Sequence, residues 1–210
     1  MKASELMKSR KDVRAPVKAR VAGLLYLLIF IVAPSGAITA TPWRLITTFT
    51  CDVAVAFLLC DLLRPVSKTL SLLAAIFRLI FVVVMGLNSL NFFGLLRLFG
   101  NAGSDDTFNL GYGIALIPFG VHCLLTGYLI FRSAFLPRLL GILMATAGLA
   151  YSLFLWPSLG LRLFFPYIAI PGVLGEGSLT LWLLIKGVNG ERWEEQASSM
   201  RPFTGGNASA

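Results

Sequence analysis

Six long apolar runs, each parted from the next by a few basic, polar, proline or glycine residues, make up most of this chain. They cover residues 21–40, 45–63, 69–93, 110–131, 137–156 and 164–186. Each has about the 20 residues that a helix needs to cross the hydrocarbon of a bilayer. Only helices and closed barrels satisfy their backbone polar groups in lipid. The runs are continuously apolar, without the period-two alternation of barrel strands. The pattern predicts an all-α, polytopic membrane bundle of six transmembrane helices over 19–188, between a basic tail (1–18) and a polar tail (189–210) expected to be disordered. The connections 64–68 and 132–135 are short enough to force antiparallel neighbours. Helices two and three therefore pair as one hairpin, and four and five as another.

Composition agrees, with 57% hydrophobic and 13% charged residues. The formal charge of +8 would suit a nucleic-acid binder, but its placement follows membrane topology instead. With a cytoplasmic N-terminus, Lys8, Arg10, Lys11, Arg14, Lys18, Arg20, Arg64, Lys68, Arg132, Arg138 and Lys186 fall inside, and only Arg44, Arg97 and Arg162 outside. Basic residues favour the cytoplasmic flank, so both termini are expected in the cytoplasm and the chain in the plasma (inner) membrane. Trp43, Tyr112, Trp156 and Tyr167 fall at outer ends and Tyr26, Tyr128 and Trp182 toward inner ends, as interfacial anchors do. A cleaved signal peptide ending near Pro34-Ser35-Gly36-Ala37-Ile38-Thr39-Ala40 is the weaker reading, because the apolar run is long enough to span. Asn207-Ala208-Ser209 matches a glycosylation acceptor but lies in a tail expected in the cytoplasm.

Four ionisable residues interrupt this apolar pattern: Asp52, Arg78, His122 and Glu176, one on each of four helices. Counting rise per residue, all lie about 12–18 Å from the inner ends. A charge at that depth costs about 2.5–3.5 kcal/mol to insert and marks function more often than packing. An interhelical hydrogen bond returns only about 0.6 kcal/mol. The four are therefore expected to converge, with Arg78 holding Asp52 or Glu176 and the other carboxylate near His122. Asn88 and Asn91 are secondary candidates, at an entrance or bonded to neighbouring helices. Asp61, beside Arg64, reads as a surface ion pair.

Pro171, Gly172, Gly175 and Gly177 surround Glu176. They suit either a broken helix lining a site, as in transporters, or close packing. Gly113, Gly120 and Gly127 recur every seven residues and form a smooth seam, from which His122 points away. Cys51 and Cys60 lie about 13 Å apart along one helix axis, too far for a disulfide. No phosphate loop, H-E-x-x-H or G-x-S-x-G motif occurs. Arg78 at the same level opposes a metal, so no cofactor or metal is expected.

Several segments resemble a known family. They are Ala19-Arg20-Val21-Ala22-Gly23-Leu24-Leu25-Tyr26, Leu62-Leu63-Arg64-Pro65-Val66-Ser67-Lys68 with Phe77-Arg78-Leu79, and Gly120-Val121-His122-Cys123 running on to Phe135-Leu136-Pro137-Arg138. Together they are similar to the bacterial membrane family named domain of unknown function 4386. The resemblance implies a six-helix integral membrane protein and no particular activity. The function best suited to the intramembrane residues is a small transporter or proton-coupled carrier, working as a homo-oligomer. The alternatives are a membrane-embedded lipid-modifying enzyme, with Glu176 or Asp52 as base and His122 as acid, and a structural or signalling scaffold. The expected partners are the lipid bilayer and a small-molecule or lipid substrate, with no nucleic acid.

Overall fold

The computed structural model describes residues 2–33, 41–95 and 104–199. Within them the chain is helical, without strands, and six helices are long and apolar enough to cross a membrane. They are α1 (Lys2–Val32), α2 (Pro42–Leu63), α3 (Lys68–Phe92), α4 (Asp105–Arg132), α5 (Arg138–Tyr151) and a composite sixth span. That span comprises α6 (Pro157–Leu163), a π-type turn (Phe164–Ile168) and α7 (Ala169–Ile185). Each span packs on the one before it, and α7 returns onto α1, closing a ring. Outward side chains such as Ile31, Ile46, Phe57, Val83, Leu149 and Ile185 are exposed and apolar, a surface that water would penalise and lipid would not.

Local chemistry explains most helix ends. Pro42 opens α2 at the position where a missing N–H costs nothing. Ser67 caps α3 by accepting from the backbone N–H of Leu70 at 3.4 Å. Asp105 and Asp106 form the first turn of α4, where the helix dipole favours negative charge. Arg44 donates to the terminal carbonyls of α1, Val32 at 2.8 Å and Ala33 at 3.2 Å. Those carbonyls lack helical partners, so a cation suits them.

Several details differ from the sequence reading. The first helix begins at Lys2, and its apolar stretch among the described residues is Ala15–Val32; the outer part of the expected span, 34–40, lies outside them. Its buried face, Ala15, Ala19, Ala22 and Tyr26, starts within the basic tail, and small residues there let neighbours approach. The polar tail is not wholly without structure. Gly187 adopts φ +69°, which ends α7, and α8 (Gly190–Ser199) follows. Trp193 of α8 donates its indole N–H to the Leu62 carbonyl at 2.8 Å, and Gln196 accepts from the Ala134 backbone N–H at 3.0 Å. The last helix thus ties two inter-helix turns together. Finally, Asp61 pairs with Lys18 of α1, and not with Arg64. The supposed cleavage site at 34–40, Arg97 and the tail sequence 200–210, with Asn207-Ala208-Ser209, lie outside the described residues.

The glycine seam of α4 meets a matching pair on α5. A Cβ on Gly127 would lie 2.7 Å from the Gly141 carbonyl oxygen, and one on Gly120 would lie 3.1 Å from that of Gly148. The pairs 127/141 and 120/148 repeat every seven residues on both antiparallel helices, so the two backbones touch along the seam.

Candidate functional site

Arg78 lies about midway along α3, buried with three polar side chains around it. Its side chain is 1% exposed, beside Asp52 at 2%, His122 at 1% and Tyr26 at 0%. Nε and Nη2 both donate to one oxygen, Oδ1 of Asp52, at 3.1 and 2.6 Å. Nη1 donates to the Tyr26 hydroxyl and lies 3.2 Å from His122 Nε2. The guanidinium also stacks over the rings of Tyr26, at 4.5 Å, and Phe119, at 5.4 Å.

His122 has its tautomer set by its partners. Its Nδ1 is 2.9 Å from the Ala74 carbonyl, which can only accept, so Nδ1 carries the proton. Nε2 faces a guanidinium, which can only donate, so Nε2 accepts. The imidazole is therefore a neutral bridge from Arg78 to the backbone one turn earlier on α3. As its angle to the glycine seam predicts, His122 faces α3 while the seam faces α5.

Glu176 stands apart from this hub. It lies on the inward face of α7 with the buried Gly172, Leu179, Thr180 and Leu183. Its Oε1 accepts from the Tyr151 hydroxyl at 2.7 Å. Among the described residues its other oxygen has no hydrogen-bond donor, and the side chain is half-buried. Tyr151 and Phe119, with ring centroids 5.6 Å apart, connect the Glu176 pair to the Arg78 hub through aromatic contact. The helix is unbroken around Glu176. The irregular backbone comes earlier, at Phe165 (φ −115°, ψ 130°). Gly172 and Gly175 serve contact with α5. The Tyr151 ring crosses Gly172, where a Cβ would lie 2.9 Å from Cζ, and so reaches Glu176 one turn further on.

Three of the four intramembrane residues therefore share one cluster, and the fourth is its neighbour. Arg78 pairs with Asp52. The remaining carboxylate partners Tyr151 and not His122. Asn88 donates to the Phe108 carbonyl at 3.0 Å and, like Asn91, is buried; Asn88 joins α3 to α4. Sequence reasoning missed Tyr26 and Tyr151. Tyr26 read as an interfacial anchor, yet it is wholly buried at the guanidinium. Its place on the Ala15/Ala19/Ala22 face was the available signal.

Comparison with known proteins agrees with the architecture. The family described as domain of unknown function (DUF4386) matches residues 35–187. An "Uncharacterized protein" of Archaeoglobus fulgidus is 32% identical over 136 residues, covering 65% of this chain and 76% of that protein. No solved structure matches.

Proposed function

Since the chain belongs to the DUF4386 family, a name that assigns no activity, we propose from the site alone that it is a small proton-coupled carrier whose exchanging group is Glu176. The observation that carries this reading is the contrast between two intramembrane carboxylates. Asp52 is held by two guanidinium nitrogens and fully buried. Glu176 faces the ring interior, is half-buried, and keeps one oxygen without a donor from a described residue. A mobile proton needs an acceptor that can lose and regain it, and a carboxylate with one hydroxyl partner suits that better than one held charged against a buried guanidinium. Arg78, with every nitrogen engaged, holds the frame instead of binding solute. His122, fixed between a donor and an acceptor, offers little to an enzyme that needs an acid. A carrier of six spans would work as a homo-oligomer.

The test uses the proton as its probe. Full-length protein in proteoliposomes on a solid-supported membrane should give a transient charge displacement after a jump in external proton concentration. Glu176→Gln should abolish the transient and Asp52→Asn should not, provided both variants remain folded. An unchanged transient in Glu176→Gln overturns the assignment. Saturation of the Arg78 hub favours the second reading, a helix scaffold, and that reading expects no transient from the wild type.

The same proposal places both termini in the cytoplasm and the chain in the plasma membrane. Reporter fusions at Met1 and at Ala210 are expected to read cytoplasmic. Opposite readings would contradict an even number of spans.

A further inference from the structure

A groove of about 230 Å³ runs along the outer face of the α4–α5 hairpin. Leu124, Gly127, Tyr128 and Phe131 line it from α4, and Gly141 and Ala145 from α5. It is smaller than the roughly 300–1,000 Å³ clefts that enclose whole ligands, and suits a segment of chain. Its lining is almost entirely apolar, and it opens sideways toward the surface that the exposed aliphatic residues assign to lipid.

One end of the groove is different. Arg138 is exposed, and its guanidinium lies 5.7 Å from the ring centroid of Phe131, a lining residue. Arg132 follows Phe131 directly and is also exposed. Neither arginine forms an ion pair with a described residue. Arg138 is the first residue of α5, where the helix dipole disfavours a cation, so its position does not serve the helix. An unpaired guanidinium at the mouth of an apolar channel fits one molecule class, with an acyl chain for the channel and an anionic head for the cation.

We propose that the α4–α5 groove is a binding site for an anionic phospholipid, one acyl chain lying along Leu124, Gly127 and Ala145 and the phosphate meeting Arg138. The bulk bilayer supplies the same chains with any headgroup, so headgroup discrimination separates a site from ordinary solvation by lipid. Arg138 is exposed at a turn, and its substitution leaves the seam and the hub untouched.

Native mass spectrometry of the full chain in detergent tests this. The probes are phosphatidylglycerol and phosphatidylcholine with identical acyl chains. The wild type is expected to retain more phosphatidylglycerol. Arg138→Gln should lower that retention by about fivefold, the worth of one basic residue near an anionic surface, without changing phosphatidylcholine. Ala145→Leu, which fills the channel, should lower both. Arg64→Gln removes the same charge from the other turn at that end and should change neither. Equal retention of the two lipids by the wild type overturns the proposal. So does an Arg138→Gln effect no larger than that of Arg64→Gln, which would reduce the preference to general basic attraction.

Discussion

Arg78→Ala is expected to destabilise the protein by about 3–5 kcal/mol, the usual result of removing one side of a buried ion pair. The loss has several parts. Asp52 would keep a carboxylate in a dry interior without its two donors, and Tyr26 and His122 Nε2 would each lose the group that faces them. Removing both charges together should hurt less, because no uncompensated charge remains. Thermal melts in detergent of Arg78→Ala, Asp52→Ala and the double variant decide this. The double is expected to lie well above the sum of the singles. Strict additivity would show that the pair does not form. Pairing Arg78→Ala with Glu176→Ala should depart less from additivity, since the two share no hydrogen bond. Tyr26→Phe should cost only about 0.5–1.5 kcal/mol, one hydrogen bond with the ring retained.

A single methyl group at Gly141 is expected to destabilise by about 1–3 kcal/mol, the range for overpacking a close-packed interior. A Cβ there would lie 2.6 Å from the Gly127 carbonyl oxygen and 2.7 Å from the Phe131 backbone nitrogen. Backbone atoms cannot swing aside as side chains do, so the helices must separate along the seam. The same change at Gly86, where nothing lies within 4 Å, should instead stabilise α3 by about 0.5–1 kcal/mol through helix propensity. Opposite signs for one chemical substitution are the outcome to look for in melts of the two variants. Equal effects would mean that α4 and α5 do not touch where these distances place them.

The architecture was legible because lipid imposes length and apolarity on every span, and both can be read from runs of residues. The pairing of Arg78 was not. Asp52 and Glu176 stand at similar depth, and depth along an axis says nothing about direction around it. Tyr26 was hidden for a related reason. Tyrosine near a helix end is usually interfacial, and only its angular position with Ala15, Ala19 and Ala22 marks it as inward. The glycines near Glu176 illustrate a different ambiguity. Small residues serve broken helices and tight contacts alike, and Gly175 is explained by the Leu143 carbonyl oxygen, 2.6 Å from where its Cβ would be. Phe165, where the backbone leaves helical geometry, sits next to a proline that the apolar count passed over.

A ring in which each helix leans on its predecessor has a consequence for synthesis. Tyr26, on the first span, can meet Arg78 as soon as the third has inserted, and His122 joins with the fourth. The central ion pair therefore gathers its partners while the chain is still being made. The contact between α1 and α7 must wait for the last span, because Gly23 rests on the backbone of Leu183 and Leu184. Until then α1 has one flank open, and the wall that carries Glu176 is missing. A chain stopped after α5 would hold its buried arginine paired and yet enclose nothing.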